Sequence, residues 1–194
     1  MELVCCLGVI GGGKSYTAQK YVDKGYVLIN FADALKELAA KLLNIPEFTE
    51  DYKAADWWCE TDEDAGYFDG REFLQRLGQG LREIQPDFWI KMWKAKVIAA
   101  LSEGKSVVCA DMRYPNEGLA SFWLVGTDGK PLEYDHTYIV CDYKSKRYDA
   151  TNTHSSEEMA QALLKLDFKD GSIINYSLFQ GLMTRISEDG YSWI

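Results

Sequence analysis

The sequence predicts an α/β fold with a five-stranded parallel sheet and helices on both faces. Short apolar runs alternate with helical stretches along most of the chain, which is the pattern of a parallel sheet covered on both sides. A glycine-rich segment joins the first apolar run directly to the first helical stretch, as in a β–α unit. The chain has 194 residues, enough to bury a core without disulfides or metals, so we expect a single domain, 1–194.

The predicted strands are the apolar runs, at residues 3–7, 26–30, 106–110, 137–141 and 172–175. Helices are predicted from about Lys14, over 32–43, within 69–84 and after Pro86. Within 69–84, apolar residues recur on one side of a helix with 3.6 residues per turn: Phe73, Leu74, Leu77, Leu81 and Ile84.

Two segments depart from this alternation of strands and helices. Residues 46–69 are crowded with acidic and aromatic side chains, which predicts a mobile, solvated excursion. Further on, Asp128-Gly129 favours a tight turn and predicts a small hairpin before the fourth strand.

The charge balance and hydropathy exclude several kinds of partner. The formal net charge is -9 and the pI about 4.8, whereas binding to a nucleic-acid backbone depends on clustered Lys and Arg. No apolar run approaches the roughly 20 residues of a membrane span, and the apolar N-terminal stretch is too short for a signal peptide. We therefore expect a cytoplasmic protein that binds a small molecule, neither polymeric nucleic acid nor membrane. A homodimer is left open.

The cysteine pattern indicates a reduced compartment. There are five cysteines, and the adjacent Cys5 and Cys6 point to opposite faces of a predicted strand, so they do not pair easily. Neither of the two histidines stands in a Cys/His spacing typical of zinc sites. We interpret the thiols as small buried hydrophobic groups and predict no structural zinc.

The glycine-rich segment carries the strongest motif. Residues 8–15 satisfy G-x-x-x-x-G-K-[ST], between a predicted strand and a predicted helix. Gly11, Gly12 and Gly13 let backbone amides wrap around phosphates, and the helix N-terminus adds positive potential there. Lys14 is expected to reach the β- and γ-phosphates, and Ser15 to bind magnesium; Tyr16, which follows, is counted with this nucleotide site. The alternative is a glycine-rich turn with an exposed lysine.

A second element of a phosphate site is a carboxylate at the end of a neighbouring strand. Asp111 follows the apolar run 106–110 and is the candidate magnesium-side carboxylate. An aspartate in this position is also commonly a helix cap. Arg113, two residues later, is a candidate for the phosphates, with an ion pair to Glu117 as the alternative.

A polar stripe on the helix within 69–84 is the candidate acceptor site. At 100° per residue the stripe lies apart from the apolar side and contains Arg71, Gln75, Gly78 and Arg82. Guanidinium groups suit a monophosphate, and a glycine permits close approach. The alternative is an ordinary solvated face, with ion pairs to Glu72 or Glu83.

Several segments in order carry a family resemblance, over nearly the whole chain. They are the motif 8–15, Phe31-Ala32-Asp33-Ala34-Leu35-Lys36, residues 71–78, residues 111–117, and His154-Ser155-Ser156-Glu157 with Ile174-Asn175 beyond. With these segments the chain resembles phage-type deoxynucleoside monophosphate kinases of the P-loop nucleotide kinase superfamily. Two positions differ: Ala34 stands where the family often has proline, and Ala110 where an additional acid frequently precedes Asp111.

The resemblance implies a three-layer P-loop kinase fold, ATP and Mg²⁺ as cofactors, and a step of deoxynucleotide biosynthesis in the cytoplasm, that of the host if the chain is phage-encoded. It implies catalytic roles for Lys14, Asp111, Arg71 and Arg113. Asp33 and Lys36 are assigned to the substrate, which a helical excursion at about 45–85 would bind. Trp58 is our choice to contact the base, while Trp57, Tyr67 and Phe73 stay open. Lys146 and Arg147 belong to a candidate lid at about 142–154, with an exposed basic loop as the alternative.

Two other functions fit the same motifs. One is a P-loop kinase that acts on a modified nucleotide or another small acceptor. The other is a nucleotide-binding sensor without turnover, which the joint presence of Lys14, Ser15, Asp111 and Arg71 disfavours.

Overall fold

The computed structural model describes residues 1–8, 11–57, 68–141, 171–175, 177–181 and 184. The chain forms two compact units, the first from Met1–Phe31 with Trp93–Ile194 and the second from Ala32–Met92. The expectation of one domain with a helical excursion at about 45–85 stays a prediction, and that excursion lies inside the second unit. The elements in chain order are β1 (Glu2–Leu7), α1 (Lys14–Val22), β2 (Val27–Leu28), α2 (Ala32–Leu42), α3 (Glu50–Ala54), β3 (Asp56–Trp57), β4 (Phe68–Asp69), α4 (Gly70–Ile84), α5 (Phe88–Ser102), β5 (Val107–Met112), α6 (Pro115–Ser121), β6 (Asp135–Val140) and β7 (Ile173–Ile174).

The first unit is built on a five-stranded sheet in the order β2-β5-β1-β6-β7. Strand β1 pairs in parallel with β5 and with β6, and β2 pairs in parallel with β5. The five strands lie where the apolar runs predict them, so the α/β class and the strand number are confirmed.

The prediction that all five strands are parallel is wrong, because β7 runs antiparallel to β6. Ile174 pairs with Tyr138 and Ile173 with Ile139. The direction of a strand is set by the connection that leads into it. Two consecutive apolar residues do not indicate that direction. Most of the connection between β6 and β7, residues 142–170, is outside the described residues.

Helical residues contact both faces of this sheet, as alternating side chains require. On one face Ala18 of α1 packs against buried residues of three strands, which are Val4, Cys6, Val108, Ala110 and Ile139. On the opposite face Tyr138 stacks on Phe179 with ring centroids 4.5 Å apart, and its hydroxyl lies 2.8 Å from Ser121 Oγ of α6. Both faces are therefore covered near β1 and β6.

The residues at which the chain leaves and re-enters the first unit are held together. Phe31 and Trp93 stack with centroids 4.3 Å apart and planes inclined by 17°. Trp93 Nε1 donates to the carbonyl oxygen of Ile29 at 3.1 Å. This arrangement fixes the backbone of residues 29–31 beside the end of β5.

The second unit is helical, with a short antiparallel ribbon of β3 and β4. Its core contains Ala39, Ala40, Phe48 and Leu74. Phe48 is 2% exposed, so the acidic stretch that the sequence predicts as a mobile, solvated excursion contributes to a core and forms α3. A Cβ on Gly70 would lie 1.8 Å from the Tyr52 carbonyl oxygen, so the start of α4 requires glycine to approach α3.

Smaller features match the sequence. The turn before β6 contains the bridge Val125–Pro131, and Gly129 has φ 77°, as Asp128-Gly129 predicts. Cys5, Cys6, Cys109 and Cys141 are buried free thiols. Within the described ranges, no helix combines the length and apolarity that a bilayer span requires.

Candidate functional site

The loop between β1 and α1 needs glycine at several positions. Gly8 has φ 147°, and a Cβ there would lie 2.1 Å from the Cys141 carbonyl oxygen. Gly11 and Gly13 have φ of 75° and 87°, which side chains rarely tolerate. Glycine therefore serves conformation at three of the motif's positions. Residues 9 and 10 lie outside the described part.

The N-terminus of α1 has the features of an anion site. Gly13 is the N-cap and makes no side-chain cap hydrogen bond, and the first turn contains no acidic residue. The first amides of a helix lack partners within the helix and carry partial positive charge. Such amides bind phosphate readily when the adjoining loop presents its backbone to the same place.

Lys14 lies inside this loop and does not project into solvent. It is 8% exposed, and its Nζ donates to the Gly8 carbonyl oxygen at 2.6 Å. A buried ammonium is strongly favoured by an anionic partner, because burial removes water from the charge. The alternative of a glycine-rich turn with an exposed lysine is wrong for Lys14. A triphosphate in the loop would have to share or replace the Gly8 contact.

The two residues after Lys14 are exposed. Ser15 and Tyr16 both face solvent, and Lys20 Nζ lies 4.6 Å from the centroid of the Tyr16 ring. This cation–π contact places a second positive group one turn from the loop. A Ser15 hydroxyl on the solvent side is accessible to a hydrated metal ion.

Asp111 lies at the same edge of the sheet as the glycine loop. Strands β1 and β5 are parallel, and Leu7 pairs with Met112, so their C-terminal ends meet at one edge. Asp111 Oδ1 accepts a hydrogen bond from the Phe31 amide at 2.8 Å and lies 3.4 Å from Cys109 Sγ. Asp111 is not the cap of α6, because that N-cap is Tyr114. The helix-cap alternative is therefore wrong.

Arg113 is held through its backbone. Its amide donates to Glu117 Oε2 at 2.8 Å, and the Tyr114 amide donates to the same oxygen at 3.1 Å. Arg113 and Glu117 are therefore in contact through the Arg113 amide. Arg113, two residues beyond Asp111 in the sequence, lies in a turn that Glu117 closes.

In the second unit, the polar stripe of α4 divides into two parts. Arg71 and Gln75 are exposed and Arg82 is half-buried. Gly78 is buried: a Cβ would lie 3.2 Å from Leu35 Cδ2, and its carbonyl accepts from Trp89 Nε1 at 3.0 Å. The close approach at Gly78 is made by helix α2, and its role in substrate binding stays a prediction.

Three cations of the second unit act on one carboxylate. Lys53 donates a hydrogen bond to Glu50 and lowers the pKa of that carboxyl, and the charges of Lys36 and Arg71 lower it further. Lys36 is on α2, Lys53 on α3 and Arg71 at the start of α4. Glu72 pairs with Arg76 at 2.6 Å, so the ion pair expected for the stripe is made by a neighbouring arginine. Asp33, in the first turn of α2, is half-buried.

Some predicted site residues cannot be placed. Trp58, Lys146 and Arg147, and with the last two the candidate lid at about 142–154, lie outside the described residues. Within the described part, no three His, Cys, Asp or Glu side chains are grouped to hold a metal ion. Magnesium bound with nucleotide needs few protein ligands, since phosphates and water complete its shell, so Ser15 and Asp111 suit that ion.

A scan against protein-family models finds no match, and a search of the curated proteins finds no similar sequence. Function is therefore inferred from the motifs and from the geometry of the two units.

Three contacts are not predicted by the sequence. Asn30 Oδ1 accepts from the Ala110 amide at 2.8 Å, and Asp111 Oδ1 accepts from the Phe31 amide. The third contact is the ion pair of Lys53 with Glu50. The first two contacts join residues 80 positions apart, which no local pattern shows. Glu117 had a local indication, because it stands three residues after Tyr114 and two after Pro115, the third helical position of a capping box.

Proposed function

We propose that this protein transfers the γ-phosphoryl group of ATP to a deoxynucleoside monophosphate, giving a dNDP and ADP, on a three-layer P-loop kinase fold. The observation that carries the proposal is the loop of the first unit: required glycines, an uncapped helix N-terminus and a buried Lys14 ammonium converge there. Burial of that ammonium favours an anionic partner, which a phosphate would supply.

The donor is bound by the first unit. Amides of residues 11–15 and the Lys14 ammonium hold the phosphates, and the exposed Tyr16 lies beside them. Ser15 and Asp111 are the residues that would hold magnesium, which supplies neutralisation of charge on the phosphate oxygens. Arg113 adds positive charge on the same side of the sheet.

The acceptor is bound by the second unit. Lys53, and after it the charges of Lys36 and Arg71, lower the pKa of the Glu50 carboxyl, and a nucleotide phosphate brings the same kind of charge. Arg82 and Gln75 extend the polar stripe with donors suited to phosphate or base, and Asp33 is assigned to the sugar or base side. The second unit therefore supplies the cations of the acceptor side.

Catalysis in this proposal depends on positioning and charge neutralisation. An acceptor phosphate is already a nucleophile, so the reaction needs no dedicated base. Lys14 and Arg113 are assigned to the charge on the donor phosphates, and Arg71 to the charge on the acceptor phosphate. Their separate contributions are accessible by substitution.

The test is a product assay with purified protein. ATP and Mg²⁺ are incubated with each of the four dNMPs, the four NMPs and a hydroxymethylated dNMP, and nucleoside diphosphates are separated by chromatography. We expect a dNDP, and a fall in kcat of at least about 100-fold in Lys14→Ala. Lys24→Ala, a lysine just beyond α1, is the control and should leave kcat unchanged.

The other outcomes are decisive as well. Tight ATP binding with no product from any acceptor would indicate a sensor and overturn the proposal. Product from the hydroxymethylated nucleotide alone would indicate the modified-nucleotide kinase. Full activity of Lys14→Ala would remove the phosphate-site assignment.

A further inference from the structure

We infer that Glu117 is a positioning residue for the proposed phosphoryl transfer, and that it acts by holding Arg113. The inference rests on the proposed function. The sequence indicates Glu117 only as an ion-pair partner of Arg113, and no role in the nucleotide or acceptor sites is assigned to it above.

The burial of Glu117 is the first observation. Glu117 is 1% exposed, and it is the most buried acidic residue in the described part of the chain. Removing a carboxylate from water is unfavourable unless hydrogen bonds compensate. A capping box accounts for the contact of Glu117 with the Tyr114 amide, but it does not account for the contact with the Arg113 amide.

The hydrogen bonds show what the buried charge holds. One oxygen, Oε2, accepts from the amides of both Arg113 and Tyr114, at 2.8 and 3.1 Å. Pro115, the next residue, has no amide hydrogen and begins α6. The carboxylate therefore fixes the backbone of the two residues that connect β5 to α6.

Helix α6, which carries Glu117, is itself fixed to the sheet. A Cβ on Gly118 would lie 2.2 Å from Phe179 Cζ, so the helix is in close contact with that ring. Ser121 Oγ and Tyr138 OH each donate to the Gly118 carbonyl oxygen at 2.6 Å. Ser121 Oγ also lies 2.8 Å from His136 Nε2 of β6. Glu117 is thus attached to a rigid support.

The opposite end of the turn is fixed as well. Asp111 Oδ1 accepts from the Phe31 amide, and Phe31 stacks on Trp93. Arg113 lies between these two anchors, so its backbone has little freedom. Catalytic groups that are held in place before substrate binds avoid the entropy loss of ordering them in the transition state.

The test is a double-mutant cycle on kcat with Glu117→Gln and Arg113→Ala. Glutamine keeps the shape and an acceptor oxygen but loses the charge that strengthens both amide contacts. We expect Glu117→Gln alone to lower kcat about tenfold, with KM for ATP and dNMP within twofold. In the Arg113→Ala background the same change should lower kcat by less than twofold, because coupled residues are non-additive.

A structural role alone would give a different pattern. Equal losses of kcat in both backgrounds, or a loss matched by a fall in Tm, would overturn the inference. Glu103→Gln, an exposed glutamate paired with Lys105, is the control and should change neither kcat nor Tm.

A second measurement does not depend on turnover. Amide hydrogen exchange of Arg113 and Tyr114 should accelerate at least tenfold in Glu117→Gln, while exchange in β1 stays unchanged. Unchanged exchange at those two amides would overturn the inference whatever the enzyme does. Wild-type protein that transfers no phosphate would overturn the proposed function, whereas an active wild type with a fully active Glu117→Gln would overturn only the role of Glu117.

Discussion

The Lys14 ammonium donates a hydrogen bond to the carbonyl oxygen of Gly8, the first residue of its own loop, at 2.6 Å. The lysine thus holds the loop closed on itself from a position that is nearly inaccessible to water. In the proposed function, the group that donates to phosphate therefore also sets the conformation of the loop.

This coupling predicts that arginine cannot replace Lys14. A guanidinium is planar and larger than an ammonium, and it does not fit a buried position shaped for a point charge. We expect Lys14→Arg to lower kcat as much as Lys14→Ala, by at least about 100-fold, with ATP affinity weakened in both. Titration with a fluorescent ATP analogue and steady-state kinetics measure these effects. Recovery of more than a tenth of the wild-type kcat in Lys14→Arg would contradict the explanation.

Gly8 predicts a large loss of stability on substitution. Alanine there would combine φ 147° with a Cβ 2.1 Å from the Cys141 carbonyl oxygen. We expect Gly8→Ala to lower the free energy of unfolding by about 3 kcal/mol or more, because both strain and steric overlap are introduced. Urea unfolding measures it.

The matched control for Gly8→Ala is a glycine with space around it. A Cβ on Gly80 in α4 would have nothing within 4 Å, so Gly80→Ala should raise the free energy of unfolding by about 0.5–1 kcal/mol. Similar losses at both positions would show that the loop geometry at Gly8 is not what limits stability.

Much of the fold could be predicted because its determinants are local. The apolar runs locate all five strands of the sheet, and the positions of α1, α2, α4 and α5 follow from periodicity and from Gly and Pro at their ends. The direction of β7 could not be predicted, because Ile173 and Ile174 have no directional preference of their own. Tertiary connection, not composition, decides it.

The site shows the same division between local and distant determinants. The glycine loop between β1 and α1 could be predicted because eight consecutive residues contain its motif. The sequence predicts that Gly78 lets a substrate approach the helix, whereas in the structure the side chain close to Gly78 is Leu35 of α2. The contact of Asp111 with the Phe31 amide spans 80 residues, and only the parallel sheet brings the two together.

Glu50 predicts an unusual gain of function. Its carboxylate attracts Lys53, Lys36 and Arg71, and it therefore competes with an acceptor phosphate for the same cations. We expect Glu50→Gln to lower KM for the dNMP about two- to fivefold, because interactions between exposed charges are weak. KM for ATP should stay unchanged. Initial-rate kinetics at low salt measure both constants.

Asp51→Asn is the control for Glu50→Gln, because it changes the same charge on the same helix at an exposed position next in sequence. It should leave KM for the dNMP within experimental error. An equal fall in both variants would mean that net charge, not the Glu50 contact, governs acceptor binding.

The position of Asp111 predicts that one substitution there lowers activity while leaving stability nearly unchanged. Asparagine retains an oxygen that can accept from the Phe31 amide, so Asp111→Asn should keep Tm within a few degrees of wild type. It loses the charge that a magnesium site needs, so we expect kcat to fall at least about 100-fold and the Mg²⁺ concentration for half-maximal rate to rise. Asp128→Asn, in the exposed turn before β6, should change neither. If Asp111→Asn kept both the wild-type kcat and the wild-type Mg²⁺ dependence, the role of Asp111 would be structural, because its contacts with the Phe31 amide and with Cys109 do not require a metal ion.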